Sequence, residues 1–272
     1  MKFGFVTCVE LGLSCIKKIY EIGGELDVLI TLHDHKSIKK SGRIYLDDFS
    51  KENQVPLFKI NHINDIEVVN IINRFQLDWL FIIGWSQIAG SEIIFAPKRG
   101  AIGAHPTLLP QGRGRAAIPW AILKGLTKTG VTFFKMDENV DQGPILAQLE
   151  IAINENEDAG SLYEKVNKGH EVLIEEIFIS LKNDTVRPIA QDESKATYWP
   201  GRTPADGELF PEMATDDVDR IVRATTRPYP GAFIIYEGTK IIIWKGEYGL
   251  NQQGFSIKFK DGIYTATDYT ID

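Results

Sequence analysis

At 272 residues the chain has room for one large domain, or for one domain and a smaller companion. Its hydrophobic share of 43% and charged share of 25% are those of an ordinary globular protein and exclude a disordered or fibrous one. A net charge of -7 argues against nucleic acid as a partner, because a polyanion would need a basic patch working against the overall field. The two cysteines, Cys8 and Cys15, make neither a disulfide framework nor a metal knuckle and read as buried thiols in a reducing compartment. The apolar run at 3–9 is broken by Glu10 and is no secretory leader, and no window approaches the ~18 apolar residues that a membrane span needs. These features predict a cytoplasmic soluble protein with no membrane partner.

Along the chain, residues 2–9 form a β-branched and aromatic run that fits a buried strand, 12–22 carry helical spacing stopped by Gly23-Gly24, and 26–32 form a second strand. The charged stretch 33–52 reads as a solvated loop with a short helix. In it, His33 and His35 straddle Asp34 without the further ligands a metal site requires. A strand at 56–60, a helix at 65–75 and a strand at 79–84 follow. The apolar pattern resumes at 93–95, a strand is predicted at 100–103, a helix at 119–124, and strands at 130–136 and 144–153. The longest amphipathic helix spans 161–181, capped by Asp158 or Ser161. This alternation predicts an α/β fold: an open, twisted, mostly parallel sheet with flanking helices. No GxGxxG opens the first helix, so a dinucleotide site has little support. After 182 the texture turns aperiodic and rich in Pro, Gly, Ser and Asp. A short helix at 216–224 and strands at 233–236, 240–245, 255–259 and 264–267 then form a small C-terminal β-rich domain. The expected organisation is a catalytic domain at 1–182, a linker at 183–203 and the small domain at 204–272.

The chemistry concentrates in 100–143. His105 follows a predicted strand in a Gly/Pro-rich turn, and is either a structural histidine bonded to backbone or a reactive imidazole near its neutral-range pKa. Asp141 is either a turn residue or the carboxylate that holds a ring tautomer and handles protons. Arg113 and Arg115 offer either a guanidinium clamp for phosphate or a solvated loop.

The segments HPTLLPQGRGRAAIPWAILKG and KTGVTFFKMDENVDQGPILAQ resemble the signature of the formyltransferases that use 10-formyltetrahydrofolate, among them the glycinamide ribonucleotide, methionyl-tRNA and sugar-nucleotide enzymes. RATTRPYPGAF and KIIIWKG look like the small C-terminal domain of the tRNA and sugar enzymes. The resemblance implies a Rossmann-like catalytic domain and an Asn-x-His motif with a downstream Asp. His105 and Asp141 match the last two, whereas Gly103 stands where the family has Asn. Losing one oxyanion donor typically costs ~3 kcal/mol, so a water, a backbone amide, a neighbouring side chain or His105 itself would have to supply it. The resemblance places folate against Trp85, Ser86, Gln87, Ile88, Asp137 and Val140, with direct transfer and no metal.

For the acceptor, the acidic stretch 204–219 counts against tRNA, and the C-terminal module is short for a nucleic-acid barrel. The RGRA loop looks more like the sugar-nucleotide enzymes. The expected acceptor is a nucleoside-diphosphate amino sugar of the type of dTDP-4-amino-4,6-dideoxyglucose, used in surface-polysaccharide (O-antigen, lipopolysaccharide) biosynthesis. Arg113, Arg115, Trp199 and Tyr229 are candidates for gripping it, the two aromatics alternatively being core. The partners are thus folate and a nucleotide sugar, with a homo-oligomer expected. The alternatives are a methionyl-tRNA formyltransferase, a formyltetrahydrofolate hydrolase or a catalytically weak folate-binding protein.

Overall fold

The computed structural model describes residues 1–37 and 42–272. The chain begins with strand β1 (Phe3–Val6), helix α1 (Glu10–Glu21) and strand β2 (Val28–Leu32). Two short helices, α2 (Asp34–Ser37) and α3 (Asp47–Glu52), follow in the charged stretch read as a loop, of which 38–41 lie outside the described residues. Then come β3 (Leu57–Ile60), α4 (Ile66–Phe75), β4 (Trp79–Ile82), α5 (Ser91–Phe95), β5 (Gly100–His105), the two-residue β6 (Arg113–Gly114), α6 (Ala117–Leu123), β7 (Lys128–Lys135), β8 (Ile145–Ala152) and α7 (Ala159–Lys182). Seven of these strands make one sheet in the order β3-β2-β1-β4-β5-β7-β8. The first five run parallel and β7 runs antiparallel to β5. This is the open, mostly parallel α/β sheet that the alternating pattern predicts.

Strand periodicity divides the buried side chains between the two faces. Phe3, Phe5 and Phe81 share one face, where the Phe178 ring of α7 lies 4.7 Å from that of Phe3. Val6, Leu80 and Ile82 point the other way and pack with Val68, Ile71 and Ile72 of α4 and Ile93 and Ile94 of α5. Strand order reverses between β1 and β4, and the carboxyl ends of the parallel strands at such a reversal are where this architecture opens a crevice. Asp158 and Ser161 cap α7 reciprocally, Ser161 N donating to Asp158 Oδ1 at 2.8 Å and Asp158 N to Ser161 Oγ at 3.2 Å.

After α7 come β9 (Tyr198–Trp199), α8 (Thr215–Thr225), β10 (Ala232–Tyr236), β11 (Thr239–Tyr248), β12 (Phe255–Lys258) and β13 (Ile263–Ile271). Strands β10 to β13 form an antiparallel sheet in the order β10-β11-β13-β12. Val218 and Val222 of α8 close its core with Ile234, Ile243, Ile257 and Tyr264. Strands β11 and β13 outrun their apolar cores because ladder pairing continues from Ile241↔Ile271 to Tyr248↔Tyr264. The chain divides into two compact units that alternate along the sequence. One comprises Met1–Gly114, Gly130–Ile151 and Val166–Tyr198, and the other Arg115–Thr129, Ala152–Lys165 and Trp199–Asp272. Among the described residues, no helix is long and apolar enough to cross a membrane.

On the buried side of α7, His170 packs edge-on against Phe133 and donates from Nδ1 to Val166 O at 2.8 Å. Burial pushes its pKa down to about 4. An unfolded chain takes up this proton near pH 6.5. Between the two values the unfolded state binds more protons, so stability falls as the pH drops from about 6.5 to about 4. His170→Phe is expected to flatten that part of the profile, measured as urea midpoints between pH 4 and 7.

Candidate active site

His105 is the last residue of β5, not a turn residue beyond it, because antiparallel pairing with Thr132 of β7 carries the ladder past Gly103. The residue is 7% exposed. Its Nε2 lies 2.7 Å from Gly112 O, and since a carbonyl only accepts, Nε2 carries the proton of the neutral ring. That leaves Nδ1 as the basic nitrogen, 3.7 Å from Asp141 Oδ2. The gap exceeds a direct hydrogen bond, and with the ring in this tautomer both atoms are acceptors. Asp141 adopts φ 58°, a left-handed conformation that Asp tolerates better than most residues, and its Oδ2 accepts from Gly114 N at 2.9 Å. The structure therefore brings together the imidazole and carboxylate singled out from the sequence.

The turn after His105 is held by Thr132, whose hydroxyl donates to Thr107 O at 2.7 Å and accepts from Leu109 N and from Gln148 Nε2. Arg113 departs from its expected role as a phosphate clamp. Its side chain is fully buried, and all five N–H groups are spent inside the protein: on Gln191 Oε1 (3.2 and 2.7 Å), both oxygens of Glu193 (2.8 and 2.6 Å) and Tyr198 OH (2.8 Å). No donor remains for a ligand. The guanidinium in turn holds the Glu193 carboxyl below its usual range. Gln191, Glu193 and Tyr198 escape sequence reasoning because each is an isolated polar residue in an aperiodic stretch some 78 to 85 positions from its partner.

Arg115, Trp199 and Tyr229 belong to the second compact unit. Arg115 is exposed, and no ion pair or hydrogen bond engages its guanidinium among the described residues. Trp199 is buried, and Tyr229 is half-buried with its phenol pKa pushed up by burial. A cavity of about 580 Å³ in that unit is lined by Asn154, Asp216, Asp219, Arg220, Arg223 and Tyr248, and by none of the residues named from the sequence.

Of the residues expected to meet folate, Trp85 lies just past β4 with its indole N–H buried and without a partner among the described residues. Ile88 and Val140 are apolar and exposed, and Ser86 is exposed. Gln87 also fixes the loop, its Oε1 accepting from Ile63 N and its Nε2 donating to Asn61 O, which leaves one N–H and one lone pair of its amide uncommitted. Asp137 Oδ1 likewise closes a local turn by accepting from Asn139 N. No cluster of metal-ligating side chains occurs among the described residues.

An open, mostly parallel α/β sheet with an imidazole facing a carboxylate at the end of one strand is an architecture of the Rossmann-like class. The chain belongs to the formyl transferase family, whose model matches residues 24–177, while that of the formyl transferase C-terminal domain matches 203–267. The methionyl-tRNA formyltransferase of Alkaliphilus oremlandii (strain OhILAs) is 30% identical over 248 residues, 90% of this chain and 79% of that protein. An N-formyltransferase from Helicobacter canadensis, solved with folinic acid and dTDP-3-aminofucose, superposes with a TM-score of 0.74 at 16% identity, covering 99% of this chain and 100% of that one. HypX from Aquifex aeolicus, solved with tetrahydrofolic acid, superposes with a TM-score of 0.73 at 17% identity, and the match covers 44% of HypX. At such identities the structural likeness is one of fold.

Gly103 is not an open position. A Cβ there would lie 2.9 Å from Phe134 Cζ and 3.3 Å from Met136 Cγ, so the Phe134 ring fills the direction an asparagine side chain would take. Gly103→Asn is expected to cost about 1–3 kcal/mol of stability through overpacking. Combining it with Phe134→Ala should give a smaller loss than the sum of the two single variants, measured by urea unfolding.

Proposed function

We propose that this enzyme moves the formyl group of 10-formyltetrahydrofolate to the primary amine of a nucleoside-diphosphate-linked amino sugar, for use in surface polysaccharide. The observation that carries the reading is the 3.7 Å approach of His105 Nδ1 to Asp141 Oδ2 at the loop end of the sheet, within a chain of this family. The orphaned indole N–H of Trp85 and the exposed apolar Ile88 and Val140 fit a flat heteroaromatic ligand with polar edges.

The reaction exchanges one bond for another. The acceptor nitrogen bonds to the formyl carbon as the bond to the folate nitrogen breaks; one proton leaves the amine and one reaches the folate nitrogen. His105 Nδ1 is the base that receives the amine proton, its tautomer set by Gly112 O. The resulting imidazolium pairs with Asp141 and sets a positive charge near the oxygen as that atom gains negative charge, a role the family assigns to an amide that Gly103 cannot supply. The proton then returns to the leaving folate nitrogen. Arg115, with its guanidinium unengaged, is the candidate for the diphosphate.

The Helicobacter canadensis enzyme, matched end to end and solved with a dTDP-amino sugar, supports the sugar acceptor. Asp206, Glu208, Glu212, Asp216, Asp217 and Asp219, with no Lys or Arg between 204 and 219, disfavour a tRNA stem across this stretch. The Alkaliphilus relative supports methionyl-tRNA as the second reading.

A panel of amino-sugar nucleotides, methionyl-tRNA and a no-acceptor control, each with 10-formyltetrahydrofolate, decides among these by tetrahydrofolate absorbance and product mass. Turnover is expected with a sugar nucleotide alone. Turnover with methionyl-tRNA alone establishes the second reading, formate release without acceptor a hydrolase, and folate binding with no turnover a binding protein. His105→Ala is expected to abolish transfer while folate still binds, and undiminished turnover in that variant removes the imidazole from the mechanism.

A further inference from the structure

We infer that residues 189–198 form a strap that positions the His105–Asp141 pair, with Gln191 and Arg113 as positioning residues for formyl transfer; the inference rests on reading that pair as the reacting one. The strap is anchored at its start by reciprocal backbone bonds between Ile189 and Ile145, of 2.7 and 2.8 Å. From there it touches both loops that carry the pair.

On the Asp141 side, Gln191 Nε2 donates to Asp141 O at 2.9 Å and to Gly143 O at 2.7 Å, clasping the turn whose left-handed residue aims the carboxylate. Gln142 Nε2 donates to Tyr198 OH at 3.0 Å. On the His105 side, Gly112 N donates to Thr197 Oγ1 at 2.8 Å, Arg113 N to Thr197 O at 2.9 Å, and Thr197 N to Pro110 O at 3.2 Å. The two sides are joined through Arg113, whose buried guanidinium donates to Gln191, Glu193 and Tyr198 together. The backbone groups on either side of Arg113 are the ones that hold the pair: Gly112 O accepts from His105 Nε2 and Gly114 N donates to Asp141 Oδ2. A shift of the Gln191 amide therefore moves Asp141 directly and His105 through Arg113, altering the separation of Nδ1 from Oδ2 without touching either side chain.

Gln191 is only partly buried, so it can be changed with less risk to folding than Arg113. Gln191→Leu removes both clasps. Gln191→Glu keeps an acceptor for Arg113 but cannot donate to the two carbonyls. Both variants are expected to lower kcat roughly ten- to a hundred-fold, the range associated with misplacing a reacting group by about an ångström. KM for folate and acceptor should stay within about two-fold. In an Asp141→Asn background Gln191→Leu should add little further loss, because the two act as a unit. The side-chain ¹⁵N resonances of His105, assigned by their disappearance in His105→Ala, should shift in both Gln191 variants, a readout that needs no turnover and that a merely structural role would not move. If His105→Ala abolishes transfer while folded Gln191→Leu and Gln191→Glu keep wild-type kcat and wild-type His105 resonances, the strap has no positioning role. A purely additive loss in the double variant overturns it likewise. Should Gln191→Leu fail to fold, Gln191→Glu decides alone. Wild-type turnover in His105→Ala would instead sink the reading of the pair, a result separable from any of these.

Discussion

A guanidinium cannot shed its charge, so a fully buried one must have every N–H answered from within the protein. Arg113 meets that condition with two amide contacts, two carboxylate contacts and a phenol. Its backbone is held by this, and with it the carbonyl of Gly112 and the amide of Gly114, the two groups bonded to the candidate base and its carboxylate. One buried charge thus sits between the two main-chain groups that bond His105 and Asp141. The tautomer of His105 follows from the same constraint, since the acceptor at Nε2 is a main-chain oxygen that cannot donate.

Much of the fold is legible in the sequence because burial on both faces of a parallel sheet demands short, continuous apolar runs such as VLITL and WLFI, and these are hard to mistake. Strand ends are less legible. His105 and Ile271 extend strands through ladder partners far along the chain, and no local residue announces such pairing. His105 and Asp141 can be proposed because their types and turn context carry chemistry. Arg113 cannot be assigned from sequence in the same way: arginines are mostly exposed, and what buries this one is a set of polar residues in a stretch with no periodicity. Gln87 shows the converse, a polar residue at the right loop whose amide is used for scaffolding.

Gly103 carries a related lesson about substitution within a family. The absence of the amide is not a bare deletion, because Phe134 and Met136 crowd the direction its side chain would take. The buried Phe134 ring makes the side of Gly103 that it faces apolar.

The alternation of the two compact units along the sequence has a genealogical consequence. Short blocks at Arg115–Thr129 and Ala152–Lys165 fold with the C-terminal portion although they lie inside the stretch matched by the catalytic-domain family model. A single recombination crossover that exchanged everything after Tyr198 would leave those two blocks behind, joined to a foreign partner. Exchange of the second unit in working order would therefore require its three segments to move together.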